Sequence, residues 1–337
     1  MKDRVHLLAG IDIGGTKCAV SLGLARKDGI DILAKERFAT PSSPELALLR
    51  FEETLKQLLQ GLEGANGEGK PVLAGIGISC GGPLDSKKGL ILSPPNLPGW
   101  DRIDVVGYFT ERFEVPAGLQ NDANACAVAE WKWGAGQGLD NVIFLTFGTG
   151  MGSGLILNGR LYSGTNDMAG EVGHLRIEDE GPIGYGKEGS FEGFCSGGGI
   201  AQLAQGKAII AHVKGEHPAY CPQPSDLAAV TAERVGLAAQ QGDPLAIEVF
   251  RLVGRKLGKG LSVLIDLLNP QLIIIGSIYG RQQALLDETL YDVLKAETLS
   301  HSLEVCRIVP AALGEQIGDY ASLSVAAYQL EQQREGY

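Results

Sequence analysis

Leu7 to Ile13 and Thr16 to Leu24 are apolar runs separated by Gly14-Gly15, and Val142 to Phe147 and Gly154 to Leu157 repeat the arrangement around a second glycine-rich loop. Each unit reads as strand, tight glycine turn, strand. Two such units some 130 residues apart point to a duplicated two-domain architecture rather than one doubly wound sheet. The length of 337 residues and 44% hydrophobic content agree, since a domain takes roughly 150 residues.

Both loops place small residues where backbone amides can approach phosphate oxygens, in Gly10 to Lys17 (GIDIGGTK) and Gly148 to Gly154 (GTGMGSG). Thr16 and Thr149 add hydroxyl donors. Neither is a Walker loop, because Gly15 leads through Thr16-Lys17 into a strand and not a helix. The nearest approach to that motif, Gly64 to Pro71, ends in proline. Nor is Gly148 to Gly154 a dinucleotide fingerprint, since Leu155-Ile156-Leu157 continues as strand. Taken singly, each loop also reads as an ordinary glycine hairpin. Asp12, two residues before the first loop, suits a magnesium ion held through water, or a strand-end carboxylate bonded to the turn.

Elsewhere the pattern predicts a third strand over Ile30 to Phe38, a helix over Leu46 to Leu59 after Pro44, and a strand over Val72 to Ser79. Cys80 to Trp100, rich in Gly-Gly and Pro-Pro steps, reads as a long functional loop. Asp122 reads as the N-cap of a helix over Ala123 to Trp133. Asp243-Pro244 starts a helix that runs to Asn269-Pro270, Leu272 to Ile275 is a buried strand, and Ile317 to Leu330 is a terminal helix.

The formal net charge of -11 argues against a nucleic-acid partner, and the short apolar run before Gly10 is neither a signal core nor a membrane span. The expected location is the cytoplasm. Six cysteines without a CxxC pair read as reduced, mostly buried thiols.

The chain resembles the ROK family of sugar kinases and sugar-responsive repressors. The likeness rests on Asp12-Ile13-Gly14-Gly15-Thr16-Lys17, Asn121-Asp122-Ala123-Asn124-Ala125, Gly150-x-Gly152-x-Gly154-Leu155, Gly164, Gly170-Glu171-Val172-Gly173-His174, and Asn269-Pro270 before Gly276-Ser277. Phe147 stands where an aliphatic residue is usual. The resemblance implies an α/β fold, the two-domain actin-like ATPase (ribonuclease H-like) fold, each domain a mixed sheet with flanking helices. Residues 1–120, completed by a terminal helix at 317–332, would form one domain, residues 121–316 the other, and the active site the cleft between them.

By the same resemblance Asn121, Asp122, Glu171, His174 and Glu192 are sugar ligands, Gly82 and Asn96 touch the sugar, and Asp122 is the catalytic base. Gly14, Gly15, Thr16, Lys17, Gly148, Thr149, Gly150, Gly276 and Ser277 would hold ATP, and Asp12 would hold Mg2+ through water. Residue types agree, because a ring of hydroxyls needs several acceptors and a few donors. In isolation Glu171 and His174 read as a surface pair. The implied reaction is phosphoryl transfer from ATP to a hexose or N-acetylhexosamine, at the 6-hydroxyl, with glucose the default and N-acetylmannosamine, N-acetylglucosamine and fructose close behind.

The chain departs from the pattern twice. Many relatives carry a CxCGxxGC zinc cluster before the sugar-binding glutamate, but Ile183, Tyr185 and Ser190 replace the three cysteines ahead of Glu192. His174 and Cys195 supply too few ligands, so no zinc is expected, and packing around Ile183 and Tyr185 is the expected substitute in orienting His174. The repressors' winged helix precedes the first loop, where this chain has nine residues, so a kinase is favoured over a repressor. A non-catalytic sugar sensor and a carboxylate kinase are the alternative classes; the acidic set Asp122, Glu171 and Glu192 would repel an acid. The expected partner is a small sugar, without nucleic acid or membrane, and a homodimer is left open.

Overall fold

The computed structural model describes residues 5–26, 29–63 and 72–335. The Gly64 to Pro71 stretch lies outside the described residues, as do Met1 to Arg4. The elements in order are β1 (His6–Ile13), β2 (Lys17–Arg26), β3 (Gly29–Ala39), α1 (Pro44–Glu63), β4 (Leu73–Cys80), β5 (Leu84–Asp85), β6 (Leu90–Leu92), β7 (Asp101–Asp104), α2 (Val105–Phe113), β8 (Ala117–Asn121) and α3 (Asp122–Trp133). There follow β9 (Val142–Leu145), β10 (Ser153–Leu157), β11 (Arg160–Leu161), β12 (Ile183–Gly184), β13 (Lys187–Glu188), α4 (Phe191–Phe194), α5 (Gly197–Val213) and α6 (Ala232–Gln240). The chain ends with α7 (Pro244–Leu268), β14 (Leu272–Ile275), α8 (Ile278–Glu297), α9 (Ser300–Val305), β15 (Arg307–Pro310) and α10 (Ile317–Glu335).

Packing divides the chain into two compact units. The first takes the described residues up to Leu139, then Gly154–Ala169, then the segment from Glu315; the second takes Asp140–Ser153 and Gly170–Gly314. Residue 121 therefore continues the first unit, because β8 runs directly into α3.

The first unit is a mixed five-stranded sheet of order β3-β2-β1-β4-β8, antiparallel from β3 to β1 and parallel from β1 to β8. Strand alternation explains its two faces. Leu7, Ala9, Ile11 and Ile13 of β1 pack with Phe51 and Leu55 of α1 and Val105 and Phe109 of α2. Leu8 faces the other way, with Leu323 and Ala326 of α10.

Two glycines set how close α10 lies. A Cβ on Gly77 would overlap the Ser322 carbonyl oxygen and the Ala326 backbone nitrogen, and one on Gly10 would overlap the Ser322 hydroxyl. Gly10, read from the sequence as part of a phosphate loop, is thus a mid-strand packing position. Gly154 is likewise structural, since a Cβ there would stand 2.6 Å from the Ala123 carbonyl oxygen of α3.

Cys80 to Trp100 is not the plain loop expected. It contains β5 and β6, which pair antiparallel, and β6 pairs in turn with β7. Strands of two to four residues are too short to show periodicity in a sequence.

In the second unit β14 lies between β9 and β15, parallel to both. Helix α7 keeps the boundaries its caps predict: Asp243 accepts from the Ala246 N–H at 2.9 Å, and Asn269 ends the helix in the left-handed region at φ 44. Val249, Phe250, Val253, Leu257 and Leu261 form its buried stripe. All six cysteines are free, four of them buried.

Because α10 can seat on β1 and β4 only where side chains are missing, Gly77→Ala should destabilise the first unit by about 1–3 kcal/mol. Urea denaturation checks this; a midpoint unchanged from wild type would show that α10 can shift without cost.

Candidate active site

In the first unit, parallel pairing places Ile13 beside Cys80 and Cys80 beside Asn121. Three strands therefore end in one row, and the segments that follow them, Gly14 to Lys17, Gly81-Gly82 and Asp122, emerge at one edge of the sheet. The carboxyl edge of parallel strands is where α/β sheets bind ligands.

Gly14 and Gly15 form the turn between β1 and β2. Thr40, absent from the sequence-derived set, shapes it: its Oγ1 donates to the Gly14 carbonyl at 2.6 Å, and its N–H donates to the Thr16 carbonyl at 3.1 Å. These carbonyls are held against the protein while Gly15, Thr16 and Lys17 stay exposed. A Cβ on Gly15 would come within 2.6 Å of the Asn96 carbonyl oxygen, so the segment carrying Asn96 touches this loop. Gly82 is exposed just beyond β4, at a cis Gly82–Pro83 bond.

The helix cap is Asn121, not Asp122. Asn121 Oδ1 accepts from the Asn124 N–H at 2.7 Å, which leaves its amide NH2 for a ligand. Asp122 is the first helical residue, and its Oδ1 accepts from the Ala123 N–H at 2.8 Å. Its side chain keeps solvent access. The protein packed around it pushes its carboxyl pKa up, against the lowering effect of the backbone N–H groups. Asp12 is raised to about 6, first by burial, then by the charges of Asp122 and Asp319, with Lys35 and Arg37 opposing. Lys35 and Arg37 both pair with Asp319, Arg37 at 3.2 Å.

In the second unit the ends of β9 and β14 are adjacent, Leu145 beside Ile275, so their trailing loops meet. The Gly276 N–H donates to the Leu145 carbonyl and the Ile278 N–H to the Phe147 carbonyl, both at 2.9 Å. A Cβ on Gly148 would stand 3.7 Å from Ser277 Oγ. Ser277 itself takes φ 52, a conformation that favours glycine. Thr146 closes the loop, its Oγ1 accepting from the Gly152 N–H at 2.8 Å. Gly148, Thr149 and Gly150 thus lie in one small-residue loop beside Gly276 and Ser277, with Thr149 exposed.

Glu192, in α4, is tied to this loop. Its Oε2 accepts from the Met151 N–H at 3.0 Å, and a Cβ on Gly150 would stand 2.8 Å from that oxygen. Ser190 caps α4 by accepting from the Gly193 N–H at 3.0 Å. Glu171 and His174 are exposed at the ends of one 3-10 turn. The His174 ring contacts Tyr185, with centroids 5.6 Å apart and planes at 73°. The structure thus assembles Asp12, Gly14 to Lys17, Asn96, Asn121 and Asp122 in the first unit. It assembles Gly148 to Gly150, Gly276, Ser277, His174 and Glu192 in the second. Among the described residues no three His, Cys, Asp or Glu side chains are grouped to hold a metal ion, and no helix is long and apolar enough to cross a membrane.

The first unit offers a pinned glycine turn and fixed carboxylates at a sheet edge, and the second offers a small-residue turn tied to a glutamate, features that suit phosphoryl transfer. The ROK family model matches residues 8–327, and the chain belongs to the ROK family. It is 29% identical over 314 residues to a glucokinase of Streptomyces coelicolor, covering 93% of this chain and 95% of that one. It is 31% identical over 277 residues to an N-acetylmannosamine kinase of Escherichia coli, covering 82% and 84%. Among solved structures, a ROK family glucokinase from Streptomyces griseus in complex with glucose and AMPPNP superposes with TM-score 0.71 at 28% identity, over 95% of this chain and 99% of that one. The expected actin-like ATPase fold is the fold of these kinases. The chain is an ATP-dependent sugar kinase.

An acid whose folded pKa is raised stabilises the fold below its unfolded pKa and loses that contribution as pH rises through the folded value. For Asp12 that window runs from the ordinary 3.8 to about 6. Asp12→Asn should therefore make the ligand-free protein more stable than wild type above about pH 6, by about 1–3 kcal/mol, with no difference below about pH 4. Thermal melts across pH 4–8 check the crossover.

Proposed function

We propose that the chain transfers the γ-phosphoryl group of MgATP to the 6-hydroxyl of a neutral hexose or N-acetylhexosamine, with glucose the first candidate. The observation that carries this reading is Asp122. One carboxylate oxygen is fixed by the Ala123 N–H, the side chain is open to solvent, and its proton affinity is raised. Such a group accepts the proton of an attacking hydroxyl more readily than an ordinary aspartate.

Asn121, with Oδ1 occupied by the cap, serves as a donor to the sugar; Glu171, Glu192 and His174 bind further hydroxyls, and Asn96 and Gly82 border the ring. An acidic set of this kind disfavours a carboxylate substrate. The exposed small-residue turns at Gly14 to Lys17 and at Gly148 to Gly150 fit phosphate oxygens, and Gly276 with Ser277 borders the nucleoside. Asp12, a hard oxygen ligand with partial solvent access, fits a magnesium ion that otherwise keeps water and phosphate ligands. Bound there, the ion would offset charge on the transferred phosphoryl group. The glucose named in the Streptomyces griseus structure and the activity named for the Escherichia coli relative support a hexose or N-acetylhexosamine as substrate. N-acetylmannosamine, N-acetylglucosamine and fructose follow glucose as candidates.

A coupled ADP-release assay over a panel of neutral sugars should find turnover with at least one; silence across the panel would sink the reading. With the best sugar, Asp122→Asn should lower kcat by about 10²–10⁴ while sugar affinity stays near wild type. Turnover within a few-fold of wild type in that variant would remove Asp122 as the base.

A further inference from the structure

Residues 175–190 separate His174 from Glu192 and carry the hairpin of β12 and β13, in which Ile183 pairs with Glu188 and Gly184 with Lys187. Its two-residue turn is Tyr185-Gly186, with φ 44 and φ 73. Positive φ at both positions marks a type I′ turn, whose first position favours Asn, Asp or Gly. A tyrosine there is held against its own preference, and a bulky residue in the left-handed region is an outlier. Burial does not account for it, since Tyr185 is 72% exposed. The ring packs against His174 in a T-shaped arrangement.

The rest of the hairpin grips the same neighbourhood. Lys187 Nζ donates to the His174 carbonyl at 2.6 Å. A Cβ on Gly184 would stand 2.8 Å from Glu192 Cβ, so the hairpin backbone lies directly on the residue that carries the second ligand. Ser190, which caps the helix of Glu192, donates its hydroxyl proton to the Gly184 carbonyl at 3.4 Å. From α5, the Gln202 side-chain amide clamps the hairpin: Oε1 accepts from the Ile183 N–H and Nε2 donates to the Ile183 carbonyl, both at 2.9 Å. Ile183, Tyr185 and Ser190 are the three positions where the related pattern carries cysteines.

We infer that the 183–188 hairpin, pinned by Gln202, is a metal-free positioning clamp, and that Tyr185 is a positioning residue that fixes the His174 ring for a sugar hydroxyl. Tyr185 accepts a strained backbone because its ring contact with His174 replaces a tether through a bound metal. Ile183, by contrast, contributes its main chain, its side chain being 56% exposed. The inference rests on the reading of His174 as a sugar ligand.

The turn chemistry makes the test discriminating. Tyr185→Asn supplies the residue the turn prefers while deleting the ring, and Tyr185→Phe keeps the ring. The expected result is that Tyr185→Phe matches wild type. Tyr185→Asn should melt no lower than wild type, yet raise the sugar KM about 10-fold or more with a smaller change in kcat. In 13C-labelled protein the His174 ring signals should move in Tyr185→Asn and stay in Tyr185→Phe, whether or not the sugar has been identified. Gln202→Ala should reproduce the KM effect and the ring shift without touching the ring itself. A wild-type sugar KM or unmoved His174 signals in Tyr185→Asn would overturn the inference, as would unfolding of that variant, because the turn would then not be the kind argued here. If the wild type phosphorylates no sugar, the sugar-kinase reading fails, while the His174 ring signals still decide whether Tyr185 fixes that ring.

Discussion

The in-register ending of β1, β4 and β8 is the constraint on which the first half of the site depends. Asp12, Asn96 and Asp122 lie far apart in sequence, and no local motif brings them together. Parallel pairing does, because Ile13, Cys80 and Asn121 occupy one row and every segment leaving that row starts from the same edge. Three residues earlier in β1 and β4, the paired Gly10 and Gly77 let α10 lie close against the sheet. A side chain at either would push the helix that carries Asp319 away from the strand that carries Asp12. Packing on one face of the sheet and charge at its edge are therefore one problem, solved by two glycines.

The second unit solves a related problem with hydrogen bonds. Its glycine loop and Glu192 are joined at one atom, Glu192 Oε2, which accepts the Met151 N–H. On the proposed reading a hydroxyl bound by Glu192 and a phosphate approached by the loop are linked through a single oxygen. Gly150 is small because that oxygen lies against it. On that reading the glycine spacing serves two purposes at once, backbone access for phosphate and close approach for the carboxylate.

The sequence revealed the parts whose signals are local. Asp243-Pro244 and Asn269-Pro270 bracket α7, and Leu272 to Ile275 is a strand as read, because caps and apolar runs act within a few residues. The tiny strands β5 to β7 escaped, being shorter than any period. Asp122 was given the capping role that Asn121 performs, since adjacent Asn and Asp are equally good caps and only the backbone decides between them. Thr40, Thr146 and Gln202 were invisible for another reason. Each acts through a side-chain contact with backbone that is 6 to 26 residues away, and nothing in its neighbours marks it. Tyr185 is intermediate: its link to His174 is an expectation of the resemblance, but the hairpin that carries it and the left-handed backbone at its tip show only in the structure.

The electrostatics at the carboxyl edge of the first sheet bear on the proposed magnesium site. Asp12 is surrounded by protein and faces Asp122. Two cations, Lys35 and Arg37, stand close enough to lower its pKa, yet both are paired with Asp319, and the Asp319 charge acts on Asp12 more strongly than either. The local counter-charge is therefore largely cancelled before it reaches Asp12. A protein that needed only to bury an aspartate would have left Lys35 or Arg37 free to neutralise it. Leaving the carboxylate under-compensated costs folding stability near neutral pH, and the cost is offset only when positive charge arrives from outside the chain. On the proposed reading, a magnesium ion delivered with the nucleotide would meet that requirement.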